Sequence, residues 1–171
     1  GQYALSQPLD RDSSILADVQ KFAPLYYLQQ VEGLRTDLDI VLLGSEELYQ
    51  KELRQRLSEA QTVYLARYLP GLDGMYLTSV GPLVRVEKEA PVAALGSSGV
   101  RANLGNGIEL VGAEVEEDGF GRALYHVTLD WRATRSLDHD LLVRFRLVDE
   151  EDSVQWASDG VRPVNQLYPT N

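Results

Sequence analysis

The residues best suited to chemistry are a carboxylate, a hydroxyl and a guanidinium, and each lies where a short apolar run ends. Asp18 closes the run SILAD, while Ser45 and Arg67 follow the runs DIVLL and TVYLA. If these runs are parallel strands, their carboxyl ends meet at one edge of a sheet, where such sheets bind ligands. A guanidinium and a helix N-terminus at that edge can hold a phosphate group or sugar hydroxyls. Asp18, Ser45 and Arg67 are therefore candidate ligand-binding residues.

The same three residues also have a structural interpretation. Asp and Ser are preferred at helix N-caps, so Asp18 and Ser45 are expected to cap helices, and Arg67 is expected to close an ion pair. No glycine-rich phosphate loop accompanies them, because residues 71–74 (GLDG) match neither the dinucleotide-binding nor the P-loop spacing. Caps and an ion pair are the simpler account, and ligand binding is the second hypothesis.

The other reactive side chains form no recognised catalytic or metal-binding pattern. His126 and His139 are too few for a histidine metal site and lie in different local contexts. The two Ser-Ser pairs lack the G-x-S-x-G spacing of a nucleophile elbow. The acidic runs at 114–118 and 149–152 lack the alternating ligands and glycine of a calcium loop. We predict no catalytic residue, no metal and no cofactor in this chain.

Composition excludes several classes of partner. The chain has 171 residues, 44% of them hydrophobic, and a net charge of -10 from 16 Lys and Arg against 26 Asp and Glu. Dispersed cations and a strong negative charge argue against nucleic acid as a partner. No apolar run reaches the roughly 20 residues needed to cross a bilayer, and no signal peptide is visible. The chain begins with Gly1, which we interpret as the start of a piece of a longer protein.

The first half is predicted to alternate strands and helices. Residues 14–18, 39–43 and 62–66 are the strands, and the uninterrupted apolar interior of 39–43 is typical of a parallel strand buried on both faces. The first helix is expected to begin at Pro24 and end at Gly33. The second begins at Ser45 and carries an inward stripe of Tyr49, Leu53, Leu57 and Ala60. Short connections between these elements predict a small parallel three-layer α/β unit.

The second half is predicted to be an antiparallel sheet. In residues 125–131 the odd positions are apolar, and Tyr125 and Trp131 fall on that face. Residues 108–115, 141–147 and 154–157 are expected to supply further strands of the same sheet, with Leu141, Val143, Phe145 and Leu147 pointing inward. One apolar face must be covered, so a strand pair at 75–87, broken at Gly81-Pro82, is expected to complete a sandwich unless the chain ends before its last strands.

These patterns define the predicted organisation. The fold class is α+β, with a parallel three-layer α/β unit followed by an antiparallel β-sandwich-like unit. The α/β unit spans residues 1–90 and contains three strands and two helices. A linker rich in Ala, Gly and Ser covers 91–106, and the sandwich-like domain, which is either complete or truncated, covers 107–171.

Several phrases of the sequence resemble a known family. They are residues 27–37 (YLQQVEGLRTD), 63–72 (VYLARYLPGL), 81–86 (GPLVRV), 129–133 (LDWRA) and 155–160 (QWASDG). Together they resemble the soluble C-terminal region of bacterial multi-spanning glycosyltransferase-like membrane proteins, in the group similar to protein O-mannosyltransferases. The phrases are structural and include no catalytic signature.

The resemblance implies a parent protein that moves a sugar from a lipid-linked donor on the extracytoplasmic side of a membrane. In that family the catalytic carboxylates lie near the first membrane helices, so none can be assigned in this chain. The resemblance thus implies a noncatalytic extracytoplasmic domain whose partner is the membrane-embedded part of the same parent chain.

Three functional hypotheses follow. The first is a domain that holds a glycan or acceptor, with Trp156 as the aromatic side chain best placed to stack on a sugar, because Tyr125 and Trp131 fall on the predicted core face. The second is a purely structural or oligomer-contact module without a ligand. The third and weakest is a nucleotide-binding enzyme with a phosphate near Ser45.

Overall fold

A computed structural model describes residues 1–89, 101–117, 125–135, 137–162 and 168, without the side chains of residues 116, 117, 125 and 126. The protein is α+β. By contacts it divides into two compact units, one formed by 1–89 with 141–169 and the other by 90–140 with 170–171. The described elements are α1 (Gln2–Leu5), β1 (Ser14–Ala17), α2 (Val19–Gln30), β2 (Asp39–Leu42), α3 (Glu46–Ser58), β3 (Val63–Leu65), β4 (Tyr76–Val80), β5 (Leu83–Glu87), β6 (Ala102–Gly105), β7 (Ile108–Glu117), β8 (Tyr125–Ala133), β9 (Arg146–Val148) and β10 (Val154–Ala157).

The first unit contains a five-stranded mixed sheet in the order β2-β1-β3-β5-β4. β1 pairs in parallel with both β2 and β3, which confirms the three predicted parallel strands. β5 joins β3 in antiparallel fashion and carries β4 at the edge. The strand pair broken at Gly81-Pro82 is therefore confirmed, but the expectation that it completes a sandwich is wrong. Leu83, Val84 and Val86 of β5 are buried and extend the same sheet.

Alternate residues of the central strand face two separate clusters. Ile15 and Ala17 of β1 pack with Leu25 of α2 and its apolar neighbours. Leu16 belongs to the other cluster, together with Leu53 of α3. Because successive side chains of a strand point to opposite faces, helices cover both faces of the sheet. The outer strand β2 differs, since it lies at the edge and Leu42 is exposed. The prediction that its run is buried on both faces is wrong for that reason.

Helix α2 begins earlier than predicted. Asp18 is its N-cap, and Pro24 lies inside the helix instead of starting it. The cap carboxylate accepts hydrogen bonds from two backbone N–H groups of the first turn, and this fixes the start six residues before the proline. The end is close to the prediction, with Gly33 at a φ of 67° and the Leu34 N–H donating to the Leu28 carbonyl.

Helix α3 confirms its predicted start at Ser45. Tyr49 and Leu53 are fully buried, and Leu57 packs against the same cluster. Ala60 is exposed and has a φ of 57°, because the helix has already ended at Ser58. Its assignment to the inward stripe is therefore wrong.

The second unit holds an antiparallel sheet in the order β6-β7-β8, with a register shift between Leu110 and Gly112. β6 lies within the segment predicted to be a linker, whose residues 91–100 are outside the described chain. The apolar face predicted for β8 is not a buried face, because Val127 is 56% exposed and Leu129 and Trp131 are only half-buried.

Strands β9 and β10 pair with each other in a two-stranded sheet of their own. The predicted single sheet of at least four strands is therefore wrong. The inward orientation predicted for Phe145 and Leu147 is also wrong, because Leu147 is 61% exposed and Phe145 is exposed as well, whereas Leu141 and Val143 are half-buried. The two strands are joined by the predicted acidic turn, in which the Asp149 carboxylate accepts hydrogen bonds from the Glu151 and Ser153 N–H groups. Within the described chain, no helix has both the length and the apolar character needed to cross a membrane.

Candidate functional site

The parallel strands bring the sequence-predicted candidates to one edge of the sheet. β1 lies between β2 and β3, so the residues that follow these three strands share what we call the carboxyl edge, formed by Asp18, Ser45 and Arg67. This is the location at which open α/β sheets bind ligands.

Two of these residues are helix caps. Asp18 Oδ1 accepts hydrogen bonds of 3.0 Å from the backbone N–H groups of Gln20 and Lys21. Ser45 Oγ accepts a longer bond of 3.4 Å from the Leu48 N–H. The structural interpretation of both residues is therefore confirmed. Glu46 and Glu47 in the first turn of α3 add negative charge beside Ser45, which disfavours a phosphate there.

Arg67 forms the ion pair that the sequence suggested, although the pair is loose. Its Nη2 lies 3.6 Å from Glu46 Oε1, and its Nε donates a 3.0 Å hydrogen bond to the Tyr68 carbonyl. The guanidinium also lies over the ring of Tyr49, 5.4 Å from the ring centroid, within the range of a cation–π contact. Arg67 therefore joins β3 to the first turns of α3.

Tyr49 is a residue of this edge that sequence reasoning assigned only to the core. Its side chain is fully buried, and its hydroxyl has no hydrogen-bond partner within the described part of the chain. The pKa of Tyr49 is raised to about 12, first by burial and then by the Asp18 carboxylate, while the Arg67 guanidinium acts to lower it. The available signal was its position one turn after the Ser45 cap, which places it close to the ends of the strands.

A groove also opens next to this edge, and no pattern in the sequence predicted it. Its volume is about 460 Å³. We call it the β3 groove, and its walls include Lys21, Leu25, Ala66, Arg67, Pro82 and Leu83. These residues come from α2, from the segment after β3 and from the turn into β5. Sequence patterns within one element cannot reveal a cavity built by three.

Trp156 lies on β10 and is 56% exposed, whereas Trp131 on β8 is half-buried. The prediction that Trp156 is the more exposed of the two tryptophans is confirmed. Across the hairpin Trp156 pairs with Leu147. The turn that joins their strands is held by Asp149, which also accepts a 2.6 Å hydrogen bond from Gln155 Nε2. Hydrogen bonds from Ser153 and then Gln155 keep the pKa of Asp149 below its ordinary value.

The histidines and acidic runs do not converge in the described parts of the chain. His139 is exposed, with Nδ1 3.9 Å from Asp138 Oδ1, and the side chain of His126 lies outside the described residues. Asp149 directs its carboxylate to the backbone of its own turn, and position 118 of the other acidic run is outside the description. Among the described residues no group of three or more His, Cys, Asp or Glu could hold a metal ion.

No protein family, curated protein or solved structure matches this chain.

Proposed function

We propose that this chain is a noncatalytic extracytoplasmic domain of a glycosyltransferase-like membrane protein and that it binds glycan through Trp156. The observation that carries the binding proposal is the exposure of this indole on β10. A flat aromatic face makes many weak dispersion contacts with the C–H groups of a sugar ring. The sequence resemblance supports the membrane-protein parent, its extracytoplasmic location and the membrane-embedded part of that parent as a partner.

The hairpin that presents Trp156 is held in one conformation by its own turn. The Asp149 carboxylate accepts bonds from Glu151, Ser153 and Gln155, and Ser158 Oγ accepts one from the Phe145 N–H. Because these bonds form before a ligand arrives, less conformational entropy is lost on binding. This favours Trp156 as a fixed binding surface.

The contacts at the carboxyl edge favour a noncatalytic role. Asp18 uses its carboxylate to cap α2, Ser45 caps α3, and Arg67 is engaged with Glu46 and Tyr49. Groups used in this way stabilise the fold. For the fold at a finer level we propose the three-layer α/β unit predicted from the sequence, supported by the helices on both faces of β1.

Calorimetric titration with a panel of manno-, gluco- and galacto-oligosaccharides tests the binding proposal. We expect one class of sugar to bind saturably, Trp156→Ala to abolish binding and Trp156→Phe to retain part of it. Val154→Ala is the matched control, since this residue is exposed on the same strand. Flat isotherms for every sugar, or equal binding by Trp156→Ala, would overturn the proposal.

The parent proposal has a separate test. The complete reading frame that encodes this chain is expected to contain several apolar spans of about 20 residues upstream of Gly1. Fractionation of cells producing the full-length protein should place this domain with the membrane and make it accessible to protease from the extracytoplasmic side. A full-length protein without such spans would contradict the parent assignment.

A structural or oligomer-contact module is the second candidate, and one observation favours it. Leu147 and Trp156 pair across the hairpin and are both exposed, and exposed apolar side chains that adjoin one another mark protein contacts. On this hypothesis sugar titrations stay flat, while sedimentation detects an oligomer that Leu147→Glu dissociates. Glycan binding by a monomer would exclude it.

A further inference from the structure

The β3 groove has the size and position of a small-molecule site. Its volume of about 460 Å³ falls in the range of roughly 300–1,000 Å³ that is ordinary for ligand pockets. Ala66 and Arg67 follow directly after β3, so the groove opens at the end of the sheet where α/β units bind ligands. Pro24 and Pro82 line the groove as well and supply exposed apolar wall, with Leu25 and Leu83 buried behind them.

The charged side chains that line the groove are positive, whereas the net charge of the chain is negative. The protein carries a net charge of -10, yet the charged side chains among the described residues that line the groove are Lys21 and Arg67. The nearest carboxylate described for Arg67 is that of Glu46, and their separation of 3.6 Å is longer than a hydrogen bond. Two cations above an apolar wall complement a ligand with an anionic end and an apolar body.

We propose that the β3 groove binds an amphiphilic anion, whose phosphate or carboxylate group contacts Lys21 and Arg67 and whose apolar part lies against Pro24 and Pro82. This site is separate from Trp156 in sequence and chemistry, and its existence does not depend on glycan binding. The anion is an alkyl phosphate, or a carboxylate of similar length, because the groove combines apolar and cationic walls.

The first experiment uses three probes in calorimetric titration of the whole chain. n-Octyl phosphate, kept below its micelle concentration, carries both parts of the ligand, while octanol and inorganic phosphate carry one part each. We expect octyl phosphate to bind at least tenfold more tightly than either fragment. A tenfold rise in ionic strength should weaken binding, because the contact with exposed cations is screened by salt. Octanoate is expected to bind as well, which separates a general anion site from a phosphate-specific one.

Charge variants then locate the site. Lys21→Gln and Arg67→Gln should each weaken octyl phosphate binding about tenfold, the scale of one lost hydrogen bond to a charged group. Glu46→Gln should tighten binding, because the loose partner of Arg67 is removed. Lys51→Gln is the matched control for Lys21→Gln and Arg67→Gln, because it removes one positive charge as they do. Lys51 is exposed on the same helix as Glu46.

Three results would overturn the proposal. The first is the absence of octyl phosphate binding at millimolar concentration. The second is equal binding of octanol and octyl phosphate, which would show that the cations are not used. The third is a Lys51→Gln effect as large as that of Lys21→Gln, which would show only nonspecific electrostatics. If Arg67→Gln fails to fold because its contact with Tyr49 is lost, Lys21→Gln and Glu46→Gln still decide the outcome. Trp156→Ala should leave octyl phosphate binding unchanged.

Discussion

The strands of residues 1–89 and the hairpin of residues 146–157 have the same kind of apolar sequence but opposite environments. Ile15, Leu16 and Ala17 of β1 have no exposed surface at all. In β9 and β10 every residue is exposed, including Leu147 and Trp156. β1 has strands on both sides and helices on both faces, whereas among the described elements β9 and β10 pair only with each other. An apolar pattern makes a strand able to be buried, and the neighbouring layers determine whether it is.

Core truncation is expected to show the largest difference between these regions. Leu53→Ala should cost about 2–5 kcal/mol in the free energy of unfolding, because a fully buried side chain leaves a cavity. Leu147→Ala on the hairpin should change it by no more than about 0.5 kcal/mol. Urea unfolding of the two variants measures both values. A cost for Leu147→Ala that approaches the Leu53→Ala value would show that the hairpin is covered by another surface in solution.

Removal of a buried ion pair should also cost more stability than removal of an exposed one, although the difference is smaller than for core truncation. Arg56 is mostly buried and contacts Asp39 at 2.7 Å and Glu52 at 2.8 Å, joining α3 to β2. Burial lowers the pKa of Arg56, but bonds to Glu52 and Asp39 raise it more, so the net pKa lies above its ordinary value. Arg56→Met should cost about 1.5–3 kcal/mol, since two charged partners lose their donors.

The control for this prediction lies in the second unit. Arg132 pairs with Glu109 on an exposed surface, so Arg132→Met should cost about 0–1 kcal/mol. The measurement is again the unfolding midpoint in urea. Equal costs for the two arginine variants would contradict the view that burial sets the strength of these pairs.

A buried hydrogen bond ties Tyr168 to the segment that follows β3. Tyr168 is buried, its ring packs against Tyr68, and its hydroxyl accepts a 3.0 Å bond from the Leu69 N–H. Tyr168→Phe should cost about 1–2 kcal/mol, because this buried N–H loses its acceptor. Tyr76→Phe, at an exposed tyrosine of β4, should be nearly neutral. Amide hydrogen exchange at Leu69 reports the change directly, and an unaltered exchange rate would refute the prediction.

Tyr49→Phe should give the smallest effect at neutral pH and a clear one in alkali. The hydroxyl is buried without a partner among the described residues, so its removal should leave stability unchanged or raise it by up to about 1 kcal/mol at pH 7. The pKa of Tyr49 is about 12 when folded and about 10 when unfolded, so the folded state keeps a proton that the unfolded state has lost. Stability should therefore fall as pH rises from 10 to 12, and Tyr49→Phe should reduce that slope.

Two other buried tyrosines should keep some dependence of stability on pH in Tyr49→Phe. Burial also raises the pKa values of Tyr64 and Tyr168, which act in the same direction. Thermal melts of the wild type and of Tyr49→Phe across this pH range provide the comparison, with Tyr76→Phe as the exposed control. Identical slopes in all three proteins would contradict the assigned cause.

Much of the first unit follows from local patterns in the sequence. Short apolar runs that alternate with polar helices determined the three parallel strands, and the residue types at Asp18 and Ser45 determined where α2 and α3 begin. The same reasoning missed α1 and misplaced the start of α2, because it assigned the start to Pro24 although the carboxylate of Asp18 had already capped the helix. Caps and periodicity depend on neighbours within a few residues, and such signals can be read without a fold.

The candidate sites depended on contacts that only the tertiary structure determined. Trp156 was recognisable as an exposed aromatic side chain, but the β3 groove requires α2, β3 and the turn before β5 to meet. The bond between Tyr168 and Leu69 joins residues 99 positions apart, and the strands after residue 101 divide between two sheets although their alternation is the same. Alternation of apolar and polar residues predicts a strand with two different faces, but it does not predict which surface will cover either face. That choice is made by packing between distant segments, and it positioned Lys21 and Arg67 on one groove.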